Sequence, residues 1–138
     1  MAVMAEAGIK QYRQELAAVP KALAGIRRIV AAYLRLWGRA ELTAPAALCT
    51  TELLSNVAKH AGSPDCVLTL QRRSDAVRVT VSDTSRALPV VTEPDWCGQS
   101  GRGMFLLAKT ADAWGANPTE DGKDVWFEFR TTSRESAA

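Results

Sequence analysis

Histidine and cysteine are scarce in this chain. Its 138 residues include one histidine, His60, and three widely spaced cysteines, Cys49, Cys66 and Cys97. A single imidazole excludes any site that needs two. An odd number of thiols without a CxxC pair fits neither a disulfide framework nor a zinc knuckle, which leaves small buried thiols. Long apolar runs are also lacking: none approaches the roughly 18 uninterrupted residues a membrane-spanning helix requires. The start, MAVMAEAGIKQ, has no basic segment followed by an apolar block, so no export signal is read and the expected location is cytoplasmic. Internal repeats and low-complexity blocks are missing too. What is there is ordinary for a folded domain, 47% hydrophobic and 23% charged, which excludes collagen-like, coiled-coil and disordered classes. The length predicts a single domain over 1–138, with a core of about 12–130 and frayed termini.

The net charge is only +2, but it is unevenly distributed. Residues 1–46 carry seven Lys or Arg against three Glu, and Lys21, Arg27, Arg28, Arg35 and Arg39 fall in one acid-free stretch. Such a run reads first as the solvated face of a helix. A nucleic-acid surface would place aromatic stacking platforms among the arginines of that face, and none stands there. Direct nucleic-acid binding is therefore not expected.

Apolar periodicity supplies the elements. Leu23, Ile26, Val30, Tyr33, Leu34 and Trp37 predict a helix over 20–38, opened by Pro20 and stopped by Gly38. Ahead of it, Gln11 to Val19 is open between strand and helical lead-in, and the Pro20 break favours a separate strand. A second helix is expected over 44–61, with Thr43 as N-cap, Pro45 in its first turn and Gly62 as its stop. On it, Ala47, Leu54, Val57, Ala58 and Ala61 gather as the apolar face, with Glu52, Asn56, Lys59 and His60 on the other side. Cys66 to Arg72 and Val77 to Asp83 alternate with period two across a short turn, a hairpin signal. Asp83 shares the parity of Val77, Val79 and Val81, so its carboxylate should point inward and require a donor. A long loop over 84–101 reads as a lid or binding loop. A third helix is expected from Gly103 through Met104, Leu107, Ala108, Ala111 and Trp114 to Gly115, and a last strand over Val125 to Arg130.

Three chemical features remain: Glu52 and Asn56 one helical turn apart, an inward Asp83, and a glycine-rich loop entering a helix at Gly101–Gly103. The loop is no Walker A site, lacking Gly-Lys-Ser/Thr, and no Rossmann fingerprint, lacking a preceding strand. Exposed N–H groups and small residues at a helix start still suit a phosphate, and an Asn carbonyl suits Mg²⁺.

ELLSNVAKHAG (Glu52–Gly62), VTVSDTS (Val79–Ser85), GRGMFLL (Gly101–Leu107) and GKDVWFEF (Gly122–Phe129), in that order, resemble the histidine-kinase-like ATPases of the GHKL superfamily. Within it, the chain most resembles the short anti-sigma-factor serine/threonine kinases of actinobacteria, over Leu16 to Arg130. The resemblance implies an α/β fold, a two-layer sandwich of a mixed, mostly antiparallel sheet with the three helices on one face. It implies ATP and Mg²⁺ as cofactors. Carried onto this sequence, it implies Glu52 as general base, Asn56 as Mg²⁺ ligand, and Lys59, with His60 second to it, near the phosphates. It further implies Asp83 as acceptor of the adenine amino group, and Gly101, Arg102, Gly103 and Met104 as the phosphate-holding glycine box. One departure stands out: the superfamily's Asp-x-Gly-x-Gly is here Asp83-Thr84-Ser85-Arg86-Ala87, with Ser85 in place of a glycine, so a stiffer loop beside the base is expected. The implied function is an ATP-dependent kinase that phosphorylates a Ser or Thr of an anti-sigma-factor antagonist and also sequesters a sigma factor, with pairing to a second copy left open. The alternative is a nucleotide-gated interaction module without phosphotransfer.

Overall fold

The computed structural model describes residues 9–91 and 102–131, so the glycine-loop residue Gly101 and the third cysteine, Cys97, lie outside the described residues. Five strands, β1 (Gln11–Ala17), β2 (Asp65–Arg72), β3 (Ala76–Asp83), β4 (Ala113–Pro118) and β5 (Lys123–Arg130), form one sheet in the order β1-β2-β3-β5-β4. All four neighbouring pairs are antiparallel, so the expected mixed sheet is antiparallel throughout its described pairings. Three helices, α1 (Leu23–Leu36), α2 (Thr43–His60) and α3 (Arg102–Thr110), cover one face.

Alternation along the strands separates the two faces. Leu68, Leu70, Val77, Val79, Val81, Val125, Phe127 and Phe129 point to the helices and are buried. On the other face Arg78 lies 3.9 Å over the Trp126 ring and donates to Glu128 at 2.6 Å. Removing the inward set from water, at about 25 cal/mol per Å² of apolar surface, is the main force that holds helices to sheet.

Helix α1 buries Ile26, Val30 and Leu34, with Leu23 and Tyr33 packed partly against the core, and leaves Arg27, Arg28 and Arg35 exposed, as the periodicity predicts; Lys21, just before it, is exposed too. Its start differs: Pro20–Ala22 is a separate 3-10 turn, and the α-helix begins at Leu23. Gly38 and Gly62 take φ of +72° and +76°, the left-handed stop that lets α1 and α2 end there. Gln11 to Ala17 is a strand, and Trp37 Nε1 donates to Ile9 O at 2.6 Å, tying the end of α1 to the start of β1.

Thr43 is not the N-cap of α2. A 3-10 turn, Ala40–Leu42, runs directly into the helix, and Thr43 is its first residue, its hydroxyl donating back to Ala40 O at 2.7 Å. The buried face of α2 is Ala46, Cys49, Thr50, Leu53, Leu54 and Val57, whereas Ala58 is exposed. The core face is therefore rotated toward Leu53. The helix packs between α1, α3 and the sheet, so the larger Leu53 is drawn inward in preference to Ala58.

The third helix is shorter than its periodicity suggests, ending at Thr110, and Trp114 and Gly115 belong to β4. Gly115 sits opposite Trp126 of β5, and a Cβ there would come within 2.6 Å of the indole. This glycine keeps β4 close beneath a large ring and does not act as a helix stop.

Candidate functional site

Between α2, α3 and the inner ends of β3 and β5 lies a cavity of about 520 Å³. Glu52, Asn56, Lys59 and His60 line its helical wall, Asp83 and Lys123 its strand end, and Gly103 and Met104 the start of α3. Apolar contact comes from Leu53, Val57, Val81 and Val125. The space suits a drug-sized or nucleotide-sized ligand, mostly apolar with a few convergent polar groups.

Each polar residue arrives there for a local reason. Glu52 and Asn56 are one turn apart and share a side of α2. Both are half-buried beside Leu53 and Val57, at the edge of the core face. Lys59 and His60, in the last turn of α2, are exposed at the rim. Gly103 fits closely: a Cβ built on it would lie 2.8 Å from Glu52 Oε2 and 3.3 Å from Glu52 Cδ. The missing side chain thus lets the Glu52 carboxylate sit against the first turn of α3. There the first-turn N–H groups, which have no partner within the helix, favour negative charge, and a ligand phosphate would use the same groups. Arg102 starts α3.

Asp83 points inward and is buried, as its parity requires. Its donor is a residue the sequence reading did not single out. Lys123, also buried and directly opposite on β5, places Nζ 3.1 Å from Asp83 Oδ1 and 2.9 Å from Oδ2. Lys123 has the parity of Val125, Phe127 and Phe129, so extending that strand pattern two residues toward the N-terminus would have turned it inward. The turn before it is tight, with Thr119 N–H donating to Gly122 O at 2.9 Å, and a Cβ on Gly122 would overlap the Asp83 carbonyl oxygen. That glycine lets the chain pass over the end of β3.

The start of the loop after β3, residues 84–87, does without glycine because its turns are built from side chains. Ser85 N–H donates to Asp83 Oδ1 at 2.9 Å, Ala87 N–H to Ser85 Oγ at 3.2 Å, and Arg86 to Thr119 O at 2.8 Å. Among the described residues no non-glycine has a positive φ, so the substitution at Ser85 carries no backbone strain. Ser85 therefore acts through the Asp83 carboxylate, and these bonds hold the described start of the loop to β3 and to Thr119.

The buried thiols take no part. Burial, with Glu52 nearby, pushes Cys49 up to about 12, and burial, with Asp83 and Asp65, pushes Cys66 up to about 11, so both stay protonated at neutral pH. Among the described residues no group of three or more His, Cys, Asp or Glu could hold a metal ion. A Mg²⁺ here would take the Asn56 carbonyl together with phosphate oxygens and water, the usual habit of that ion.

The chain matches the family model of the histidine kinase-like ATPase domain over residues 16–129. It belongs to that family. A domain of this family binds ATP. Among solved structures, this ATPase domain is similar to the crystal structure of the RsbU and RsbW domains of Rv1364c from Mycobacterium tuberculosis. The TM-score is 0.60 at 16% identity, covering 90% of this chain and 32% of that one. At that identity the likeness is one of fold, and the present chain spans about a third of the length of its neighbour. No curated protein matches it significantly in sequence. Among the described residues no helix is long and apolar enough to cross a membrane.

Proposed function

We infer that the domain is an ATP- and Mg²⁺-dependent kinase that transfers the γ-phosphoryl group to a Ser or Thr of a protein partner, an anti-sigma-factor antagonist, and that it can also hold a sigma factor. The observation that carries this reading is the juxtaposition of the Glu52 carboxylate, Asn56 and the start of α3 at Gly103 on one wall of the cavity. In the reaction the partner hydroxyl attacks the γ-phosphorus, the bond to the β,γ-bridging oxygen breaks, ADP leaves, and Glu52 takes the hydroxyl proton. Mg²⁺ would neutralise charge on the phosphate oxygens, with Asn56 as its protein ligand. Lys59, with His60 beside it, faces the phosphates from the rim. Arg102, Gly103 and Met104, at the start of α3, offer backbone N–H groups to them, and Asp83 accepts from the base. The partner class rests on the sequence resemblance and on the RsbW domain in the similar structure.

Two substitutions separate chemistry from binding. Glu52→Ala should leave nucleotide affinity nearly intact while transfer falls by about 10²–10⁴-fold, the range for a positioned base. Asn56→Ala should weaken Mg²⁺-nucleotide binding and transfer together. Calorimetry with Mg²⁺-ADP alongside transfer from labelled ATP measures both. Loss of nucleotide binding in Glu52→Ala would withdraw the base assignment.

A further inference from the structure

Asp83 does not meet a ligand as a lone carboxylate. Its Oδ1 already accepts from Ser85 N–H at 2.9 Å and from Lys123 Nζ at 3.1 Å, which fills both lone pairs. Among the described residues Oδ2 accepts only from Nζ, at 2.9 Å, and keeps one lone pair. The ammonium has three hydrogens, two engaged by the carboxylate and the third by Ser85 O at 3.3 Å, the longest of its contacts. The strand end of the cavity therefore presents one acceptor, Oδ2, beside a donor held only by its longest bond, the third N–H of Lys123, which a ligand acceptor can take over from Ser85 O, and both residues line the space. The ion pair also cancels the charge that would make this end purely an acceptor.

A purine meets such a surface with two adjacent edge atoms. A 6-aminopurine offers a donor at N6 and an acceptor at N1, and a 6-oxopurine offers an acceptor at O6 and a donor at N1. A bare carboxylate would face O6 with like charge and so disfavour the oxo base. With Lys123 in place, either edge finds one donor and one acceptor after a small slide of the base. We propose that Lys123 and Asp83 read the base together, so that the cavity admits 6-oxopurine nucleotides as well as adenine nucleotides. This rests on the nucleotide reading above and deepens it: Lys123 is a specificity-determining residue, and the carboxylate alone does not set the choice of base.

The test compares ADP with IDP, which differ at the C6 substituent and the N1 proton, by calorimetry with Mg²⁺ on the wild-type chain. The expected dissociation constants lie within about tenfold of each other. In Lys123→Met, which keeps the aliphatic stem and removes the donor, the IDP-to-ADP ratio of dissociation constants should rise by about 10–150-fold, the worth of a hydrogen bond to a charged group. A merely structural lysine would move both affinities together and leave the ratio unchanged, which would overturn the proposal. So would a wild type that binds ADP but rejects IDP by more than about 100-fold, a result that needs no variant to fold. A wild type that binds neither nucleotide would overturn the nucleotide reading and this inference with it.

Discussion

At the scale of single residues, the Asp83–Lys123 pair dominates because both partners are buried and bonded through two oxygens. Removing one partner strands the other charge, so Asp83→Ala should destabilise the domain by about 3–5 kcal/mol in chemical denaturation. Replacing both, Asp83→Ala with Lys123→Met, should recover much of that loss, since an apolar pair of similar volume removes the desolvation penalty. A double variant as unstable as the single one would show that packing, not charge, was lost. In the folded fraction of Asp83→Ala, nucleotide affinity should fall by roughly 10–150-fold, read by calorimetry. The inward carboxylate and its need for a donor were legible from strand parity. The identity of that donor was not, because the apolar alternation of β5 begins only at Val125, two residues beyond Lys123.

At the scale of elements, the approach of α3 to α2 depends on Gly103. Its nearest neighbour is the carboxylate end of Glu52, which can swing away, so Gly103→Ala should fold with a melting temperature close to wild type. The carboxylate, however, would be pushed from its place, and a misplacement on the order of 1 Å costs about 10²-fold in rate. Transfer should therefore fall about that far while Mg²⁺-ADP affinity changes little; equal losses in both would mean that Gly103 serves the phosphates alone. On the other face, Gly115→Val would drive a branched side chain into the Trp126 ring, whose Nε1 is held by Asn117 Oδ1 at 3.1 Å. Overpacking of this kind should cost about 1–3 kcal/mol, and Trp126→Ala in the same chain should relieve it, a non-additivity that a double-mutant cycle reads directly. Gly115 also hides β4 in the sequence, because a glycine just after Trp114 reads as a helix stop. Met104, Leu107, Ala111 and Trp114 continue one helical spacing, yet the helix stops at Thr110, where Asp112 enters the edge of the sheet through Asp112 N–H to Glu128 O and Arg130 N–H to Asp112 Oδ2. Those are long-range bonds, invisible to local periodicity. Thr43 was misplaced for a related reason, since a 3-10 turn supplies the start of α2 without a side-chain cap.

At the scale of the whole molecule, the separate elements were legible in the alternation of β2, β3 and β5 and the apolar stripes of α1 and α3, signals that burial of a single core imposes on any sequence. The layout of one sheet with three helices on one face was legible only through the resemblance to the histidine-kinase-like ATPases. The strand order β1-β2-β3-β5-β4, which places β5 between β3 and β4, came from pairing across the chain and not from any one segment. The basic face of α1 stands exposed away from the core, consistent with the solvated-face reading of its charge run. The central claim is that the cavity couples nucleotide binding to phosphoryl transfer onto a protein hydroxyl, and one measurement addresses it most directly. Wild-type protein is incubated with γ-labelled ATP, Mg²⁺ and a lysate of its source cells, beside Glu52→Ala at the same concentration, and labelled bands are mapped to the modified residue. The account predicts a band carrying label on Ser or Thr with the wild type, reduced by about 10²–10⁴-fold with Glu52→Ala. A wild type that binds Mg²⁺-ATP yet labels no protein, while holding a partner more tightly with ATP present, would contradict it and identify the domain as a nucleotide-gated binder.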